Sequence, residues 1–294
     1  MSERNQALES ATNIVWLKRD LRTQDHAPFA HAEASDLPYS IIYIFEPSLV
    51  ERPDVSDRHL QFIYHSLTDL NKQLSQYNRQ VLLFYGEAMD VFTHLSERVK
   101  INSIFSHQET GVEASWKRDE QVSEFCQSHA INWIQSPRDG ILRGISNRKG
   151  WDKHWFVTIA QPVIINSYSV STEVPISHPF SLPAAFRKKL EHYQDVFQPA
   201  GESAAWKYLK SFSEKRGFDY NKNISKPTES RQSGSRISPF LAWGNLSIKQ
   251  AYQFVKSHEN YSKSKRAFGA MLTRLKWHCH FIQKFEVECE YEHT

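Results

Sequence analysis

Between residues 13 and 137, five short apolar runs alternate with amphipathic segments, and this alternation constrains the fold more than any other feature of the chain. The runs are residues 14–17 (Ile14, Val15, Trp16, Leu17), 39–45, 81–85, 101–105 and 131–134. Apolar runs that are continuous, not alternating, suit strands buried on both faces of a parallel sheet. In the segment 56–77, Leu60, Ile63, Tyr64, Leu67, Leu70, Leu74 and Tyr77 recur three or four apart, which makes one helical stripe. Residues 111–130 repeat the pattern with Trp116, Val122, Phe125, Cys126 and His129. Strand–helix alternation of this kind predicts a doubly wound α/β domain with a parallel sheet over 13–137. Ligands of such sheets bind at the carboxyl ends of the strands. The first run ends on Lys18, Arg19, Asp20, Leu21 and Arg22, so charge gathers where a site is expected.

Residues 138–190 break the alternation with Gly140, Gly144, Gly150, Pro162, Pro175, Pro179 and Pro183. They read as a long surface connector anchored by Trp151 and Trp155. From 191 to 294 helical patterns take over. One spans 202–216 and is closed by Gly217, a residue suited to a helix C-cap. Ser238 followed by Pro239 opens another, and Ser247 caps a third over 248–256. The last pattern, 264–288, carries Phe268, Met271, Leu272, Leu275, Trp277, Cys279, Phe281, Ile282 and Phe285 around much of its axis. A helix apolar on most sides belongs inside a larger bundle. Six residues follow Glu288, so the helical domain is expected to be incomplete.

Composition narrows the function classes. The 294 residues carry a net charge of +3 and a pI near 8.6, which permits a polyanionic partner without requiring one. Aromatic residues make up 13% of the chain, enough for large cores or for a site that stacks planar ligands. The three cysteines, Cys126, Cys279 and Cys289, lack C-x-x-C spacing, so neither a disulfide framework nor a zinc site is indicated. The polar first 13 residues lack a signal-peptide core, and no apolar run approaches membrane-spanning length; a soluble, cytoplasmic protein is expected. There is no G-x-G-x-x-G, P-loop, H-E-x-x-H or G-x-S-x-G motif. His278 and His280 lie two apart on a helical pattern and face different ways, which argues against a metal pair.

Three stretches carry a resemblance to the photolyase/cryptochrome family, which together covers nearly the whole chain from Ile14. Residues 16–26, Trp-Leu-Lys-Arg-Asp-Leu-Arg-Thr-Gln-Asp-His, resemble the family's first strand and R-D-L-R-x-x-D-N turn, with His26 where Asn is more usual. Gly201, Glu202, Ser203, Ala204 and Ala205 resemble the entry to its helical domain, continued by Leu209 and Phe212. Residues 235–247, Ser-Arg-Ile-Ser-Pro-Phe-Leu-Ala-Trp-Gly-Asn-Leu-Ser, are similar to the family's T-S-R-L-S-P-x-L-A-x-G-x-[IL]-S, the most specific match in the chain.

The resemblance implies FAD as cofactor, held by Tyr220, Gly234, Ser235, Arg236, Ile237 and Ser238. The residue chemistry agrees: two hydroxyls, a cation and a loop running into a helix N-terminus suit a diphosphate, although a plain capping loop has the same look. Residues 271–277, Met-Leu-Thr-Arg-Leu-Lys-Trp, correspond to the family's W-x-x-E-L-x-W, with Met271 in place of its first Trp. Trp277 matches the tryptophan that stacks on a flipped-out pyrimidine dimer, and bundle packing would account for it equally. Arg274 replaces the usual Glu, and an arginine cannot accept a hydrogen bond. Arg274, Trp277 and His278 are thus the candidate DNA contacts. Glu109 is a candidate contact for an antenna chromophore of folate or deazaflavin type, or an acidic residue at a helix N-terminus.

Taken together, the resemblance implies a light-driven DNA repair flavoprotein that splits pyrimidine dimers by electron transfer from photoexcited reduced FAD. Its expected partner is DNA containing pyrimidine dimers, and it is expected to be a monomer without membrane or metal. The alternatives are a cryptochrome-type photoreceptor without repair activity, or an inactive fragment of either, since the pattern requires helices beyond those present here.

Overall fold

The computed structural model describes residues 11–172 and 176–289. All five expected strands are present: β1 (Ala11–Leu17), β2 (Tyr39–Phe45), β3 (Val81–Tyr85), β4 (Lys100–His107) and β5 (Asn132–Ser136). They form one parallel sheet in the order β3-β2-β1-β4-β5. Ile14, Val15, Trp16 and Leu17 are all buried, as strands covered on both faces require.

Helices follow in chain order. They are α1 (Ala27–Glu33), α2 (Pro47–Val50), α3 (Asp57–Leu74), α4 (Ala88–Ser96), α5 (Glu113–Ser128), α6 (Trp151–Ala160), α7 (Ala184–Glu191) and α8 (Glu202–Glu214). The remainder are α9 (Tyr220–Asn223), α10 (Pro227–Ser233), α11 (Ser238–Ala242), α12 (Ile248–Ser257) and α13 (Lys265–Val287). The stripe in 56–77 becomes α3, whose buried residues include Leu60, Ile63, Leu67, Leu70 and Leu74.

The chain divides into two compact units. One holds the sheet, from the start of the chain to Ser136, together with Ile164–Gly201; the other holds Pro137–Val163 and the helices from Glu202 onward. Residues 138–190 therefore contribute to both. Their second half clasps the turn after β1. Asn166 bonds His26 twice, accepting from its N–H at 3.0 Å and donating to its carbonyl at 2.9 Å. Asp25, in a left-handed conformation at φ 55°, exchanges backbone and side-chain bonds with Ile164. Their first half forms α6 in the other unit, where Trp151 and Trp155 are buried.

In the helical unit Phe212 and Phe268 pack at 5.6 Å between ring centroids, with Phe218 5.7 Å from Phe268. The amide of Gln283 on α13 accepts from the Leu142 N–H at 2.7 Å and donates to the Leu142 carbonyl at 2.9 Å. Ser247 caps α12 as expected, with Gln250 completing a reciprocal capping box. Gly217 is not a left-handed C-cap. It lies in the short turn Arg216–Asp219, where a Cβ would stand 2.7 Å from the Phe212 ring, so close packing explains the glycine. On α13, Phe268, Met271, Leu272, Leu275 and Cys279 are buried, whereas Trp277 and Phe281 are 46% and 62% exposed.

Candidate functional site

Two groups of residues carry chemistry, one in each unit. In the sheet unit the strand order reverses between β1 and β4, and the carboxyl ends of β1, β2 and β4 bring together a buried ionic cluster. Arg118 on α5 is its centre. It pairs with Asp119 at 2.8 Å, with Glu109 at 3.0 Å and with Glu46 at the end of β2. Lys18 reaches Asp119 at 2.8 Å, and Arg19 approaches Glu109 at 3.5 Å. Three cations thus face three carboxylates, as burial of charge demands. Both carboxylate oxygens of Glu109 are engaged, one by Arg118 and the other by Arg19 and the Thr110 N–H. Burial pushes Glu46 up to about 7, while Arg118 pulls the other way.

Beside this cluster Asp20 takes both imidazoles of His26 and His107, at 3.0 and 2.7 Å. These three residues have the types of a metal site, with ligand atoms within 4.8 Å of one another. The hydrogen bonding favours another reading. His26 is the N-cap of α1, and its Nδ1 accepts the Phe29 N–H at 3.2 Å. A neutral imidazole that accepts at Nδ1 carries its proton on Nε2, the atom facing Asp20. A metal at Nε2 would have to displace that proton. His26 therefore does here what Asn does at other helix N-caps, which accounts for the departure from the motif. Burial holds both histidines below their usual range, His107 at about 4.

In the helical unit, the turn Arg216–Asp219, α9, α10 and α11 bring the expected flavin residues together. Tyr220 is buried edge-on against Phe212 at 5.6 Å. Burial raises its hydroxyl pKa, and the nearby Arg274 cation opposes that shift. Gly234 ends α10, Arg236 is left-handed at φ 57°, Ile237 is buried and Ser238 begins α11. α11 has five residues, so the macrodipole expected from a helix opening at Ser238 is that of little more than one turn. The loop's claim on an anion then rests on Arg236 and the hydroxyls of Ser235 and Ser238. Sequence reading missed Arg216, whose guanidinium donates to the carbonyls of Tyr208 and Gly234 and to the Ser211 hydroxyl. No local motif marks it, because its partners are backbone carbonyls and one serine hydroxyl.

The candidate DNA contacts separate on α13. Trp277 lines a cleft of about 680 Å³ together with Phe156, Tyr252, Lys256, Tyr261 and Lys276, among others. Arg274 stacks on Trp277, with its guanidinium 4.3 Å from the ring centroid. His278 lies toward Arg138 and Asp139, and burial lowers its pKa. It does not join Trp277. His280 lines the same cleft as Trp277, 3.1 Å from an Arg148 guanidinium nitrogen and 5.8 Å from the Trp151 ring.

The family model described as DNA photolyase matches residues 13–145. A deoxyribodipyrimidine photo-lyase of Synechococcus is 24% identical over 277 residues, which cover 88% of this chain and 56% of that protein. A chloroplastic/mitochondrial cryptochrome DASH of Solanum lycopersicum is 25% identical, over 91% of this chain and 53% of that one. Among solved structures, an archaeal photolyase from Sulfolobus tokodaii with two FAD molecules superposes with a TM-score of 0.71 at 19% identity, covering 94% of this chain and 59% of that one. Together these similarities support the photolyase/cryptochrome family. It spans little more than half the length of these relatives.

Proposed function

We propose that the protein is a flavin-dependent, light-driven DNA repair enzyme acting on pyrimidine dimers. The observation that carries this reading is the placement of Arg274, beside buried Tyr220 and stacked on exposed Trp277. It puts the flavin candidates and the lesion candidate on neighbouring parts of one unit. The loop residues suit the cofactor: hydroxyls of Ser235 and Ser238 and the guanidinium of Arg236 are donors for phosphate oxygens. FAD, when bound, supplies the light-excited electron donor that such a reaction needs.

The chain's own residues would bind and orient. Tyr220, Gly234, Ser235, Arg236, Ile237 and Ser238 hold the cofactor. Trp277 offers its face to a base displaced from the duplex, a displacement that is easier where a lesion has already weakened stacking. Lys256 and Lys276 line the same cleft and are within reach of phosphates. DNA carrying pyrimidine dimers is the partner. Among the described residues no helix is long and apolar enough to cross a membrane.

Blue-light repair of a thymine-dimer oligonucleotide by the complete protein tests the proposal. Loss of dimers under light, with none in the dark, supports it. Flavin photoreduction without repair supports the second reading, a photosensory cryptochrome. That reading draws on Arg274, which stacks on Trp277 and offers donors but no acceptor to a damaged base.

A further inference from the structure

Beneath the 234–238 loop lies a cation whose partners are all neutral. Arg216 opens the turn after α8, and its half-buried guanidinium spreads over three segments. Nε donates to the Ser211 hydroxyl at 3.1 Å and Nη2 to the Tyr208 carbonyl at 2.9 Å. Nη1 donates to the Gly234 carbonyl at 2.5 Å, with longer approaches to the Gln232 carbonyl at 3.4 Å and, from Nη2, to the Ser235 carbonyl at 3.5 Å. Among the described residues no carboxylate lies within ion-pair distance of it. Burial lowers its pKa, and the nearby Arg236 cation pushes the same way.

Arg236 is close by. The two guanidinium carbons lie 5.7 and 5.9 Å from the ring centroid of one residue, Tyr208. Arg236 also adopts φ 57°, a conformation that a non-glycine residue holds when its surroundings fix it. The carbonyls that Arg216 grips, those of Gly234 and Ser235, immediately precede that turn. Two neighbouring cations, one half-buried and bonded to neutral oxygens alone, favour an anion between or beside them. Guanidinium groups match phosphate oxygens in geometry as well as in charge.

We propose that Arg216 is the positioning residue of a diphosphate site: it fixes the Gly234 and Ser235 carbonyls so that Arg236 and the Ser235 and Ser238 hydroxyls meet a diphosphate-bearing ligand. The identity of that ligand as FAD rests on the reading given under the proposed function. A residue that merely stapled the backbone would affect every ligand of the loop alike. A positioning residue of a phosphate site affects ligands according to their phosphates.

The test uses the complete protein and its Arg216→Gln and Arg216→Lys variants. FAD and riboflavin binding are followed by flavin fluorescence, and inorganic pyrophosphate binding by the shift in melting temperature. The expected result for Arg216→Gln is FAD affinity weakened on the order of tenfold or more, the scale of a lost charge-assisted bond. Riboflavin, which lacks phosphate, should weaken much less, and the stabilisation by pyrophosphate should disappear. Equal weakening of FAD and riboflavin, or an unchanged pyrophosphate shift, overturns the proposal. If Arg216→Gln does not fold, Arg216→Lys keeps the charge but not the fork and is held to the same comparison. Wild-type protein that binds pyrophosphate but neither flavin overturns the flavin reading and leaves this site standing. Wild-type protein that binds neither pyrophosphate nor FAD overturns both.

Discussion

Arg274 and Trp277, one turn apart on α13, stack with the guanidinium 4.3 Å from the indole centroid. The pair sets a cation against one face of the indole to which the proposed function assigns stacking on a damaged base. Removing the cation should affect phosphate contact before base contact. Arg274→Ala is expected to lower the slope of log affinity against log salt by about one. Fluorescence anisotropy with a dimer-containing oligonucleotide at several NaCl concentrations measures it. An unchanged slope would show that Arg274 does not meet phosphate.

Trp277 should decide lesion preference, not general DNA affinity. A stacked base is worth about 1–3 kcal/mol by alanine substitution. Trp277→Ala is therefore expected to cut the preference for damaged over undamaged DNA by roughly 5- to 150-fold. Because the ring is 46% exposed, the melting temperature should move little. A large fall in melting temperature with unchanged preference would return Trp277 to a packing role.

Arg118 holds three carboxylates, Glu46, Glu109 and Asp119, in a buried setting. Arg118→Met leaves them without their shared cation, and breaking a buried pair in this way costs about 3–5 kcal/mol. Urea unfolding should show that loss. Adding Glu46→Gln, which removes one of the stranded charges, should recover part of it.

Acid should destabilise the sheet unit through its histidines. Burial keeps His107 neutral down to about 4, whereas an unfolded histidine takes up its proton near 6.5. The stability this contributes is complete above 6.5 and is lost as pH falls from 6.5 toward 4, a change of about 3 kcal/mol. Glu46 acts in the opposite sense. Raised by burial to about 7, it favours the folded state at low pH, and that contribution is lost as pH rises from about 4.5 to 7. In urea unfolding at pH 7 and pH 4, His107→Gln should lose less stability than wild type and Glu46→Gln should lose more. The reverse order would contradict the assigned shifts.

Much of the fold was legible because buried parallel strands and amphipathic helices leave periodic traces. The runs at 14–17, 39–45 and 81–85 fall within or coincide with β1, β2 and β3, and Ser247 caps α12 through a partner three residues away. What could not be read depends on contacts far apart in sequence. Asp20 meets His107 across 87 residues, and Arg118 meets Glu46 across 72. Arg216 bonds to carbonyls, which every residue has, so no sequence pattern could flag it. Gly217 looked like a cap because a helix pattern ends there, but the Phe212 ring decides its identity. His278 joins the candidate DNA contacts for its basic character, beside Trp277 in sequence. Successive residues on a helix point about 100° apart, and the two face different neighbours.

Tyr220 and the 234–238 loop form the proposed flavin site. Its most direct test is the near-UV and visible absorption spectrum of the purified complete protein after gel filtration, beside that of Arg236→Glu. Flavin bands close to one FAD per chain are expected in the wild type, and their loss in the variant. A colourless wild-type protein that stays colourless after incubation with FAD, or bands undiminished by Arg236→Glu, would contradict the proposed site.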